Sequence, residues 1–294
     1  MIPLSEALTR HLDITKITTD LLRFTAERGG DPQLKTLLRP DNKGELAKWM
    51  WGRQAIDVLT EQRVRACAQE WAGVLKRLQP RLYSISSTPL VDPDQVSLTV
   101  SVVRFDSLLG RARKGVCSTH LADAALDLEV PLFVQKAPHF RPPADPATPT
   151  IMVGPGTGVA PFLGFLQERQ ATGASGANWL FFGEQRRETD FYYREELSAL
   201  SAAGTLTRLD LAFSRDQRAK VYVQDRMREH GAQLWGWLRD GAHFYVCGDA
   251  SRMAKDVDRA LHEIAVNHGR LSPEAATVYL KQLAADKRYV RDVY

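Results

Sequence analysis

The sequence predicts an α+β region followed by an α/β one: helices first, then an antiparallel sheet or barrel, then a doubly wound sheet of five parallel strands. Three observations carry this. Helical spacing of apolar residues dominates 1–79, strict alternation sets in after Pro80, and beyond a proline-rich stretch short apolar runs alternate with helical segments.

In the first region Leu4, Leu8 and Leu12 recur every fourth position, and Val64, Cys67, Trp71, Val74, Leu75 and Leu78 form a second stripe. After Pro80 the period falls to two, clearest at Val96, Leu98, Val100 and Val102, with further short strands expected at Leu82 to Ser86 and Leu132 to Val134. Pro142, Pro143, Pro146 and Pro149 cannot sit inside a helix or central strand, so a boundary falls among them. The expected domains are 1–79, 80–145 and 146–294. In the last of these, strands are expected near Thr150, Trp179, Leu206, His243 and Tyr289. Ser272 and Pro273 supply an N-cap and a first-turn proline for the final helix.

A chain of 294 residues suffices for two ordinary domains, and its apolar and charged fractions are those of a globular protein. The net charge of +4 is spread along the sequence without a basic tract, which argues against nucleic acid as a partner. Cys67, Cys117 and Cys247 are odd in number and far apart, so no disulfide framework or metal site is expected. No segment approaches the apolar length of a membrane span and the N-terminus lacks a signal-peptide pattern, so a soluble protein of the cytoplasm is expected.

The strongest local signal is Ile151-Met152-Val153-Gly154-Pro155-Gly156-Thr157-Gly158-Val159-Ala160-Pro161, an apolar strand running through a glycine turn into a helix. Such a turn lets backbone N–H groups and a helix N-terminus approach a pyrophosphate, although Pro161 stands where the usual dinucleotide fingerprint continues with glycine or alanine. By itself it is equally a tight turn without ligand. A second signal follows the strand at Leu206 to Phe213: Ser214-Arg215, then Lys220-Val221-Tyr222-Val223-Gln224. The two cations can hold a 2′-phosphate, and Tyr222 can stack on adenine, so NADPH is expected over NADH. The plain alternative is a solvated basic loop. A third signal pairs Arg81-Leu82-Tyr83-Ser84 with Gly115-Val116-Cys117-Ser118, an arginine and a glycine-led helix start able to share a second pyrophosphate.

Taken together and in this order, these motifs resemble the ferredoxin–NADP reductase superfamily, and within it the diflavin branch of NADPH haemoprotein reductases and sulfite-reductase flavoproteins. The likeness runs from about Pro80 to Tyr294 and includes Arg81-Leu82-Tyr83-Ser84-Ile85-Ser86-Ser87, Ser214-Arg215-Asp216-Gln217, Tyr245-Val246-Cys247-Gly248-Asp249 and Arg288-Tyr289-Val290-Arg291-Asp292-Val293-Tyr294. The ending and the Ser-Arg-Asp-Gln loop are most similar to the sulfite-reductase type. The resemblance implies a partial antiparallel FAD-binding β-barrel with a helical insert, followed by a doubly wound five-stranded parallel-sheet NADP-binding domain. It implies FAD contacts at Thr15, Arg81, Leu82, Tyr83, Ser84, Thr99, Val100, Ser101, Phe105, Gly115, Val116, Cys117, Ser118 and Tyr294, with Ser101 and Phe105 replacing a glycine and a tyrosine. NADP contacts are implied at Gly154, Gly156, Thr157, Gly158, Ser214, Arg215, Lys220, Tyr222, Gln224 and Asp256. Ser84, Cys247, Asp292 and Tyr294 would serve catalysis: Ser84 near the flavin N5, Cys247 beside the nicotinamide, Asp292 steadying charge, and Tyr294 covering the flavin face.

The implied activity is hydride transfer from NADPH to FAD, with electrons passed through FMN to a sirohaem or iron–sulfur haemoprotein or another acceptor. The family places an FMN-binding flavodoxin-like domain and the first barrel strands ahead of the helical insert, whereas this sequence begins inside that insert. A fragment of a longer enzyme is therefore expected, with FMN on a separate or missing domain and an FAD half of marginal stability. Two alternatives stay open: a stand-alone NADPH–flavodoxin or ferredoxin reductase, and a non-catalytic docking subunit.

Overall fold

The computed structural model describes residues 2–107, 110–125 and 129–294. They divide into two compact units, one formed by residues 1–82 and 102–130, the other by 83–101 and 131–294.

The first unit is built from short helices, Leu4–Arg10, Thr19–Gly29, Pro32–Leu37, Lys43–Met50, Ala55–Gln62, Ala68–Val74 and Val116–Asp123, with one antiparallel pair, β1 (Arg104–Asp106) and β2 (Ala112–Lys114). Local chemistry sets their ends. Thr18 accepts from the Leu21 N–H, Asp31 accepts from Gln33 and Leu34 ahead of a first-turn Pro32, and Gly30 closes its helix in the left-handed region at φ 73°. Leu22, Leu34 and Val58 form one apolar cluster and Leu21, Ala55 and Leu75 another. The second stripe of the sequence is helical only over Ala68–Val74. Arg113 on β2 donates to the buried Asp57 at 2.5 Å, tying the hairpin to the helix Ala55–Gln62.

The second unit holds a five-stranded parallel sheet, β3 (Thr150–Val153), β4 (Asn178–Glu184), β5 (Arg208–Phe213), β6 (His243–Gly248) and β7 (Tyr289–Val293), in the order β5-β4-β3-β6-β7. Its central strands are apolar on both faces because both are covered. Ile151, Val153, Trp179, Phe181, Phe244 and Val246 pack with Met227, Leu234, Val257, Leu261 and Leu280. Met152, Leu180, Phe182, Tyr245 and Cys247 pack with Phe162, Leu166, Leu197 and Leu200. Ser272 caps the helix Pro273–Ala285 by accepting from the Ala275 N–H. The buried Arg169 guanidinium donates to the carbonyls of Pro146, Thr148 and Gly176, which anchors the proline-rich stretch against the helix Ala160–Ala171.

The antiparallel strands are less regular than the alternation predicts. Among the described residues no ladder runs over 82–86, 96–102 or 132–134; the single bridge is Ile85 to Leu98, beside a Ser86 N–H to Ser97 carbonyl bond of 2.8 Å. A strand is maintained by its neighbours' backbone groups, and here only that pair is matched laterally. The apolar positions of the pattern stay outside: Val96, Leu98, Leu132, Phe133 and Val134 are all exposed.

Candidate functional site

The order β5-β4-β3-β6-β7 reverses between β3 and β6, and in open parallel sheets ligands bind at the carboxyl ends of the strands at such a switch point. The glycine turn sits there, and its three glycines have different work. A Cβ on Gly158 would lie 2.2 Å from the Cys247 carbonyl oxygen, and one on Gly154 would lie 2.5 Å from the Gly158 carbonyl and 2.7 Å from the Phe162 ring. Both therefore permit close packing of the turn against β6 and its own helix. Gly156, at φ 58°, faces open space, with only Glu184 Oε1 within reach of a Cβ, at 3.6 Å. It is the glycine at which a ligand can meet bare backbone.

A cleft of about 350 Å³ opens beside this turn, lined by Ser101, Pro155, Gly156, Thr157, Glu184, Tyr192, Gly248, Asp249 and Tyr294. Tyr294 is 64% exposed, its hydroxyl 3.2 Å from that of Thr157, and its backbone pairs with Gly248 and Ala250.

At the end of β5 the Ser214 and Arg215 N–H groups donate to the carbonyls of Glu184 and Gln185, fixing the start of the cationic loop. Arg215 and Lys220 are exposed, and no ion pair among the described residues engages either. Their charge is free for an anion, which fits a phosphate. Tyr222 is also exposed and stands at the N-cap of the helix Val223–Glu229, its N–H bonded to Asp225; Gln224 is in the first turn. Asp256 is on the helix Met253–Asn267, paired with Arg259 at 3.1 Å, and is not among the cleft-lining residues.

Ser84, Cys247 and Asp292, distant in sequence, meet in the second unit. The Ser84 hydroxyl donates to Asp292 Oδ2 at 3.3 Å and lies 3.9 Å from Cys247 Sγ, which is 4.0 Å from the same carboxylate oxygen. Cys247 is the penultimate residue of β6 and Asp292 stands opposite it on β7. Burial, reinforced by the neighbouring Asp292 charge and only partly offset by the Ser84 hydrogen bond, pushes the Cys247 thiol up to about 12. Thr99 also belongs to this unit, its hydroxyl 2.5 Å from that of Tyr193, which in turn reaches Ser86. Tyr83 and Val100 are half-buried there, and Ser101 is in the cleft.

The other flavin candidates belong to the first unit. Gly115 is the N-cap of the helix Val116–Asp123, and a Cβ on it would meet Ser118 Oγ at 2.6 Å and Val103 Cβ at 2.9 Å. Ser118 Oγ accepts from the Val103 N–H at 3.1 Å, and Cys117 is half-buried in the first turn. Leu82 and Phe105 are exposed. Thr15 and Arg81 are linked through a residue that the motifs do not mark, Asp13. This buried carboxylate accepts from the Thr15 hydroxyl at 2.6 Å and from the Thr15 and Lys16 N–H groups, and Arg81 approaches it to 3.8 Å. Burial alone would raise the Asp13 carboxyl, but the Thr15 and Lys16 hydrogen bonds outweigh it and lower it.

Sequence reasoning also passes over Glu184, Tyr192 and Asp249. Asp249 accepts from the Ser251 hydroxyl and from the Arg252 and Met253 N–H groups, which hold its carboxyl far below the usual range. Aspartate two residues before a serine and four before a helix is a legible turn-and-cap pattern, and so is Asp13 before Thr15. Glu184 offers a weaker sign, a carboxylate closing an apolar run.

The FAD binding domain family matches residues 2–120, and the oxidoreductase NAD-binding domain family matches residues 152–259. The chain thus carries an FAD-binding domain and a nucleotide-binding domain of the kind found in oxidoreductases. Over its length it is similar to the sulfite reductase [NADPH] flavoprotein alpha-components of Bacillus subtilis, at 46% identity over 99% of this chain and 48% of the relative. Those of Serratia proteamaculans (45%, covering 100% and 49%) and Yersinia pestis (45%, covering 99% and 48%) are equally similar. The chain spans about half the length of the curated relatives it matches.

Proposed function

We propose that this chain takes a hydride from NADPH onto FAD, as part of a sulfite-reductase-type flavoprotein that hands electrons on through an FMN domain to a haemoprotein. The observation that carries this reading is the meeting of Ser84, Cys247 and Asp292 within 4.0 Å at the ends of β6 and β7, beside the switch-point cleft. FAD, when bound, supplies the two-electron acceptor; the protein's part is positioning and electrostatics.

The residues divide that work. Arg215, Lys220 and Ser214 hold the 2′-phosphate, Tyr222 stacks on the adenine, and the open backbone at Gly156 and Thr157 meets the pyrophosphate. Asp292 keeps a negative charge near the nicotinamide, which becomes cationic as the hydride leaves. Ser84 bonds that carboxylate, and the thiol of Cys247 is a neutral wall beside both. Arg81, Thr15 and the Gly115–Ser118 helix start would hold the FAD diphosphate. Tyr294, exposed at the cleft, would cover the flavin ring when FAD is bound. The division into a helical region 1–79, an FAD part 80–145 and an NADP part 146–294 belongs to the same proposal. So does a cytoplasmic setting; no helix among the described residues is long and apolar enough to cross a membrane.

The test is Asp292→Asn in the FAD-loaded chain, followed by stopped-flow reduction with NADPH. Hydride transfer is expected to slow by about tenfold or more, since a charge aimed at the transition state is lost, while NADP⁺ affinity stays near the parent's. An unchanged reduction rate would remove Asp292 from the reaction.

A further inference from the structure

Two carboxylates line the switch-point cleft, and they differ in what they have left to offer. Asp249 is saturated by Ser251, Arg252 and Met253. Glu184, the last residue of β4, uses Oε2 on the neighbouring Gln185 N–H at 2.5 Å, but its Oε1 receives only the Tyr192 hydroxyl at the long distance of 3.5 Å. That oxygen points toward Gly156, 3.6 Å from where a Cβ would stand, with Ser101 and Thr157 on the same cleft wall.

A carboxylate repels phosphate and recognises hydroxyl donors, so its presence beside an anion-binding turn calls for a sugar at that point. NADPH carries two riboses. The adenosine ribose bears the 2′-phosphate assigned to the Ser214–Lys220 loop, so the remaining free vicinal diol is on the nicotinamide side. The cleft also touches Gly248, next to Cys247, where the nicotinamide end belongs. We infer that Glu184 Oε1 accepts a hydrogen bond from the ribose diol on the nicotinamide side of the nucleotide, and so sets that half's register between the glycine turn and Cys247. The inference rests on the reading of this cleft as the NADPH site.

The experiment compares two ligands by calorimetric titration of the whole chain: NADP⁺, and 2′,5′-ADP, which has the 2′-phosphate but no nicotinamide ribose. Glu184→Ala is expected to weaken NADP⁺ about tenfold, the size of a lost charge-assisted hydrogen bond, and to leave 2′,5′-ADP within about twofold, which also shows that the variant is folded. Glu184→Gln, isosteric and still holding one acceptor oxygen, is expected to show the same split at smaller size. NADP⁺ binding that is unchanged or tighter in both variants, or an equal weakening of both ligands in Glu184→Gln, overturns the role of Glu184. A parent chain that binds neither ligand overturns instead the nucleotide-site reading beneath it.

Discussion

A thiol pushed to about 12 by burial stays protonated in the folded chain at neutral pH, so Cys247 enters the site as a neutral group rather than a thiolate. Stability follows from the same shift. An ordinary thiol ionises at 9.0, so the unfolded chain loses this proton first. The stability that Cys247 contributes as a buried neutral thiol is therefore complete below pH 9 and falls away as pH rises from 9 toward 12. Urea denaturation across that window should show a steeper alkaline loss for the parent than for Cys247→Ala; identical pH slopes would contradict the burial account. At this scale the sequence is only partly legible. Ser84 and Asp292 are 208 positions apart, and no spacing within one sequence brings them together; the resemblance names them and the fold puts them side by side. Glu184 is missed because it belongs to no motif, and Asp13 because its turn pattern before Thr15 reads as local structure; the significance of each arises from what the fold sets beside it, Arg81 for Asp13 and the open Gly156 backbone for Glu184.

The β3 turn shows how one element serves packing and binding at once. Gly158 is required by the carbonyl of Cys247, whereas Gly156 is required by its own left-handed backbone. Alanine at 156 should cost about 1–2 kcal/mol of conformational strain. Alanine at 158 would need the backbone of β6 to move and should cost about 1–3 kcal/mol or more, while displacing Cys247 as well. Chemical denaturation together with NADP⁺ titration separates the two: Gly158→Ala is expected to be the less stable, and a reversed order would contradict the packing assignment. The central strands β3, β4 and β6 were legible because each is an apolar run buried on both faces, and four of the five expected starts fall within one residue of the observed ones. For β5 the expected start near Leu206 precedes the observed Arg208. The antiparallel segments were less so. Alternation at 96–102 reports which side chains share a face, but a ladder also needs lateral partners, and only Ile85 and Leu98 have one.

For the molecule as a whole, the class of the chain rests on two domain matches and on identity of about 45% to one half of larger flavoproteins. The nucleotide half was readable in outline because its chemistry is local, with a turn after β3 and a cationic loop after β5. In the flavin half only the pairing of Arg81 with the Gly115–Ser118 helix start was readable from the residues, and the remaining candidates, scattered over distant segments, came through resemblance. The central claim is that this chain moves a hydride from NADPH to FAD and selects NADPH by the charge at Arg215. Anaerobic mixing of the FAD-reconstituted chain with each nucleotide, monitored by flavin absorbance, tests it most directly. The account predicts that NADPH bleaches the flavin at far lower concentration than NADH, and that Arg215→Ala raises the NADPH requirement by about 1.5–3 kcal/mol in binding terms, roughly tenfold or more, with NADH little changed. A flavin that stays oxidised under NADPH, or a variant that loses both nucleotides equally, would contradict it.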